Sequence, residues 1–223
     1  MHPFRISRYT RQRILLALAA LVLGTGLAAC GESASGDHHH AGTASGTPAG
    51  QATGELPAQG QIANFTLENS ADKRPVSLDS DLKAKAKLVY FFYTNCPDVC
   101  PITTKRMADI LGKLKQQGLD AEVKLISITV DPKRDTPEAI QQFAKKFDAD
   151  PKTWVFLRGT KEQTDAVMQQ FHVSAEETMS HEIMHNDRLF LLDEKNQMRA
   201  SYVMSTGVKD EEVIRDIKQL LGK

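Results

Sequence analysis

A chain of 223 residues with 41% hydrophobic and 25% charged side chains has the makeup of one globular domain plus extra segments. Its 28 basic residues balance 28 acidic ones, so the basic excess that a nucleic-acid partner needs is missing. The balance is uneven. Residues 1–29 hold Arg5, Arg8, Arg11 and Arg13 and no acid, which leaves 24 basic against 28 acidic residues, about −4, for the remainder.

The basic stretch 5–13 precedes the apolar run ILLALAALVLGTGLAA, residues 14–29. That run is short for a membrane span and right for the core of a signal peptide. It ends in Leu27-Ala28-Ala29-Cys30, which resembles a bacterial lipobox, where a peptidase cuts before a cysteine that becomes lipid-modified. The alternative is an uncleaved anchor helix. Both put the rest of the chain outside the cytoplasm, held to a membrane. Gly31 is not an aspartate, so no inner-membrane retention signal follows Cys30. Residues 30–57 are rich in Gly, Ala, Ser and Thr and read as a flexible tether. His38, His39 and His40 within it suit loose metal capture, or simply a solvated linker.

The folded domain is expected over residues 58–223. IANFTLENSADKRPVSL, residues 62–78, alternates apolar and polar residues around a polar turn and predicts a β-hairpin. KLVYFFYT, 87–94, reads as a strand buried on both faces. A helix follows, with Met107, Ile110, Leu111 and Leu114 at helical spacing and Gly118 as its stop. EVKLISITV is a second buried strand, and Asp135, Thr136 and Pro137 open a second helix. A short strand, WVFLRG, and a helix, TKEQTDAVMQQFHV, come next. Two strands around a polar turn at Asp193–Gln197 and a closing helix, KDEEVIRDIKQLLGK, complete the chain. The pattern is an α/β domain with a mixed sheet and an N-terminal hairpin.

The chemistry lies in FFYTNCPDVCPITTKRM, residues 91–107. Cys30 is consumed by lipid, so Cys96 and Cys100 are the pair left in an oxidising compartment. Pro101 suits the first helical position, which places Cys100 near the N-cap and Cys96 in the loop ahead of it. A helix start favours thiolates, which serve as nucleophiles and as metal ligands. A purely structural disulfide closing so short a loop would stabilise little. His185 is expected in a loop at the entry of the strand that begins near Leu189, able to face the cysteines. Two thiolates and an imidazole suit Cu(I). Zinc would want a fourth ligand, which His181 offers. Met179 and Met184 add thioethers.

These residues resemble the Sco/SenC family of thioredoxin-fold copper proteins. FFYTNCPDVCP is similar to the family's signature. ISITVDPKRDTPEAIQQFAKKF, WVFLRGT and HNDRLFLLDEKNQ are similar to three further family stretches, in the same order. The resemblance implies a thioredoxin-like fold with a mixed central sheet flanked by helices. It implies copper, as Cu(I), Cu(II) or both, held by Cys96, Cys100 and His185, and a disulfide between the cysteines when they are oxidised. It implies delivery of copper to the dinuclear copper site of cytochrome c oxidase, or reduction of that site's cysteines. The partners would be the copper-binding oxidase subunit, other periplasmic copper carriers and thiol reductases. Asp98 and Asp131 fit places near the site without a ligand role. The chain departs from the family at Phe92, where glycine is usual, and at Asn186, where Ser or Thr is usual. The other reading is a thiol-disulfide oxidoreductase. Such enzymes typically place a cis-proline before a late strand, yet no proline occurs here after Pro151, and His185 stands in that loop instead.

Overall fold

The computed structural model describes residues 55–179 and 182–223. Cys30, the leader, the tether with His38, His39 and His40, and His181 lie outside the described residues. The first element is β1 (Gly60–Gln61). The expected hairpin follows as β2 (Thr66–Asn69) and β3 (Pro75–Ser77), with Leu67 opposite Val76. The Asn69 and Asp72 side chains accept the backbone N–H groups of Ala71 and Arg74. These are the local turn bonds that Asx residues supply.

β4 (Ala86–Phe92) is buried at every position. α1 (Val99–Gln116) buries Met107, Ile110, Leu111 and Leu114, and Gly118 stops it with a φ of 68° that favours glycine. β5 (Val123–Thr129) and β6 (Trp154–Arg158) flank α2 (Pro137–Lys145). Thr136 caps α2 by accepting the N–H of Ala139. α3 (Lys161–Gln170) opens with a capping box between Thr160 and Gln163. Next come β7 (Ala175–Glu177) and β8 (Ile183–His185), a two-stranded antiparallel ribbon that the sequence pattern did not announce. β9 (Arg188–Asp193), β10 (Gln197–Val203) and α4 (Asp210–Leu221) close the chain.

The main sheet has the order β1-β10-β9-β4-β5-β6-β2-β3. β4, β5 and β6 are parallel, and β9 runs antiparallel to β4. It is a mixed sheet, as expected, and the expected N-terminal hairpin lies at one edge. Successive strand residues face opposite sides of a sheet. Phe91 accordingly meets Phe171 and Phe190 at 5.3 and 6.2 Å between ring centroids, while Phe92 stacks on Phe143 at 5.1 Å and meets Phe156 edge-on at 5.5 Å. Two aromatic clusters thus clamp β4 from both faces. That rigid central strand delivers the cysteine loop at its carboxyl end, where open α/β sheets place their sites. At the opposite end of β4 the buried Lys87 ammonium donates to the carbonyls of Asp193 and Glu194, and burial lowers its pKa.

Candidate metal centre

The loop from β4 to α1 is fixed from below by Asp135. This fully buried carboxylate accepts the Thr94 N–H at 3.2 and 3.1 Å, the Thr94 hydroxyl at 2.5 Å and the Thr129 hydroxyl. Burial is the main influence on its pKa, which is raised. The sequence reading gave Asp135 only a place at the entry of α2. Its second task, holding Thr94 two residues before Cys96, was not visible there. Asp131 pairs with Arg134 in the same loop and is not a ligand candidate on this geometry.

The start of α1 differs from expectation. Asp98 is the N-cap, and Cys100 is the second helical residue and Pro101 the third. The Asp98 side chain makes no capping bond. Its place is taken by sulfur: Cys96 Sγ accepts the backbone N–H of Cys100 at 3.3 Å. First-turn N–H groups have no partner inside a helix, so Pro101 costs nothing at the third position. Both cysteines are buried free thiols.

His185 also departs from expectation. It is the last residue of β8, paired with Ala175, rather than part of a loop. The ribbon is pinned on both sides. The Asn186 side-chain oxygen accepts the N–H and hydroxyl of Ser174, each at 3.1 Å. Asp187 accepts the Thr103 hydroxyl at 3.0 Å, which ties the chain after β8 to α1. The result brings His185 Nε2 within 3.4 Å of Cys100 Sγ, across 85 residues of sequence. The other ring nitrogen, Nδ1, lies 3.1 Å from the Asn186 carbonyl. A carbonyl only accepts, so Nδ1 carries the proton and Nε2 turns its lone pair to the sulfur. Ile183 and His185 are half-buried, whereas Met184 between them is 70% exposed and faces the other way. Met179 is fully exposed.

Two tyrosines that the sequence reading passed over as core flank the thiols. The Tyr93 ring meets His185 edge-on at 6.0 Å, and its phenol lies beside Cys96 and Ile183. Burial, then the Cys96 charge, pushes the Tyr93 phenol up to about 12. Tyr90, wholly buried, lies against Cys100 and Thr103. Aromatic residues in a buried strand read as packing, and nothing in the sequence marks where their hydroxyls end.

The pair titrates asymmetrically. The Cys100 thiol is the main influence that lowers Cys96 to about 6, helped by the backbone N–H groups of Cys100 and Asp98 and by Tyr93. Cys100 is pushed up by its hydrogen bond to Cys96 and by burial. Burial lowers His185, so its imidazole stays neutral. Cys100 therefore has one proton and two acceptors, the Cys96 sulfur and His185 Nε2. A soft cation in place of that proton would satisfy all three donors at once, so the residues fit copper. Among the described residues no group of three or more His, Cys, Asp and Glu side chains stands ready to hold a metal ion.

Two free thiols at the carboxyl end of a parallel strand, with an imidazole facing them from a late ribbon, define a thioredoxin-like dithiol protein carrying a soft-metal donor set. The SCO1/SenC family profile matches residues 54–222, and the chain belongs to that family. The SCO1 protein homolog of Bacillus subtilis is 28% identical over 165 residues, which cover 73% of this chain and 83% of that protein. A SCO1/SenC family lipoprotein from Bacillus anthracis superposes with a TM-score of 0.66 at 29% identity, over 72% of this chain and 95% of that one. Bradyrhizobium japonicum ScoI, solved with copper bound, gives 0.61 at 26% identity, over 72% and 99%. BsSco, described as a Sco family cytochrome c oxidase assembly protein with a disulfide switch, gives 0.64 at 26% identity, over 74% and 95%.

Proposed function

We propose that this protein binds copper through Cys96, Cys100 and His185 and delivers it to the dinuclear copper site of cytochrome c oxidase, or prepares that site's thiols for loading. We further propose that it works outside the cytoplasm, anchored to a bacterial membrane by lipid on Cys30. The observation that carries the copper reading is the 3.4 Å approach of His185 Nε2, lone pair first, to Cys100 Sγ. Copper in Bradyrhizobium japonicum ScoI and the oxidase-assembly role stated for BsSco support it. Copper titration of the reduced chain tests it. One copper per chain is expected, with Cys96→Ser, Cys100→Ser and His185→Ala each weakening binding at least tenfold. Parental affinity in His185→Ala would remove the imidazole from the ligand set.

The low thiol pKa of Cys96 favours a second activity on the same residues, exchange with a partner's disulfide. A reduced chain that ignored copper but rapidly reduced a model disulfide would put this reading first. Acyl labelling of the full chain, abolished in Cys30→Ala, tests the anchor.

A further inference from the structure

Tyr90 sits in the middle of the sheet, fully buried, opposite Leu189 of β9 and Ser127 of β5. Its hydroxyl reaches past the strand to Cys100 and Thr103 yet has no aligned hydrogen bond to either. Buried polar atoms are nearly always bonded, so an orphan of this kind asks for an explanation. Thr103 cannot supply one with its own proton, which goes to Asp187. The Cys100 sulfur, as a neutral thiol, is a weak acceptor.

We propose that Tyr90 is a positioning residue for the loaded site, its hydroxyl kept as the donor for the Cys100 sulfur when that sulfur is a copper-bound thiolate. The inference rests on the copper reading above. A sulfur that ligates a metal is a thiolate. A charged acceptor roughly doubles the strength of a hydrogen bond. The hydroxyl without a partner in the metal-free chain gains one when the chain is loaded, so its contribution falls on copper retention rather than on folding. Tyr93 differs in its neighbours, because its phenol faces Cys96 and Ile183 rather than Cys100. The two tyrosines therefore separate experimentally although both lie beside the same pair of thiols.

The test uses the full chain with Tyr90→Phe and Tyr93→Phe in parallel. In the metal-free reduced state Tyr90→Phe should melt at the parental temperature or above it, with Tyr93→Phe as the control for removing a hydroxyl beside the same thiols. Competition against a colorimetric Cu(I) chelator should show Tyr90→Phe holding copper about tenfold more weakly, the usual scale for loss of a bond that orients a ligand. In the Cu(II) form its sulfur-to-copper charge-transfer band should move to longer wavelength, because an unbonded thiolate is the stronger electron donor. 3-Fluorotyrosine at position 90, a better O–H donor of almost the same size, should move the band the other way. Parental affinity and an unshifted band in Tyr90→Phe would overturn the proposal. So would a metal-free melting temperature lowered by the few degrees that losing one hydrogen bond costs, since the hydroxyl would then be bonded already. A parent chain that takes up no copper would sink the copper reading itself, and this inference with it.

Discussion

Cys96 is acidic because donors surround it, not because a cation stands beside it. The Cys100 thiol comes first, then the N–H groups of Cys100 and Asp98, then the Tyr93 phenol. Alkylation of Cys96 by iodoacetamide in the reduced, metal-free protein should therefore rise through about pH 6, against about 8.5 for an ordinary thiol. Stability must follow the same titration. Cys96 is lowered in the fold, so its contribution is full above the unfolded value and is lost as pH falls through about 6. Cys100 is raised, so it acts in the opposite sense above the ordinary thiol range, where the unfolded thiol ionises and the folded one does not. Urea unfolding of the reduced protein should show stability climbing from pH 6 to about 8.5 and declining beyond it. Cys96→Ser should flatten the climb. Phe92 makes a second prediction at this scale. The resemblance leads to glycine at its place, but here a fully buried ring stacks on Phe143 and meets Phe156. Phe92→Gly should cost about 4 kcal/mol in urea unfolding, the range for emptying a core aromatic site with added backbone freedom.

Among the elements, the ribbon β7–β8 is the part that the sequence hid. β4 and β5 were legible because a continuous apolar, β-branched run has few other folds open to it. α1 and α2 were legible from helical spacing, from Gly118 and from the Thr136-Pro137 entry. Ala175–Glu177 and Ile183–His185 are three residues each, too short for any period to stand out. Their pairing depends on anchors from elsewhere: Asn186 to Ser174, Asp187 to Thr103, and the Tyr93 ring against His185. His185 was singled out in the sequence, but its strand was not. A two-stranded ribbon of this size has little stability of its own. Thr103→Val removes one anchor while keeping the side chain's size. Amide exchange at Ile183–His185 should then speed up by about tenfold or more, the loss of one hydrogen bond to a charged group. Copper retention should fall with it, since the ribbon carries His185. Unchanged exchange would mean that Ser174 and Tyr93 hold the ribbon without help from α1.

The whole molecule joins two distant parts of the chain at one point. The thiols come from the β4–α1 junction, beside the sheet's central strands, and the imidazole comes from a ribbon that meets the domain through side-chain anchors. Sequence reading anticipated the mixed sheet and the hairpin, and singled out Cys96, Cys100 and His185, which the fold brings together. It missed what supports them, because Asp135 under Thr94 and Tyr90 under Cys100 act across the sheet rather than along the chain. A metal held by Cys96, Cys100 and His185 closes a loop of 85 residues between Cys100 and His185, and it can bind only while that loop is folded. Copper should therefore raise stability by mass action, by about 2.7 kcal/mol when free copper is a hundred times the dissociation constant. For a domain of this size that corresponds to roughly 5–10 °C in Tm, at about 2–4 °C per kcal/mol. Calorimetry of the reduced protein with buffered Cu(I) should show that upward shift and its reversal by a chelator. The oxidised protein, its sulfurs bonded to each other, should show none. His185→Ala should retain only part of the shift, because two thiolates from one loop still bind but no longer tie the ribbon to α1. A full shift in His185→Ala would mean that copper stabilises the start of α1 alone, and that the ribbon is not part of the metal site.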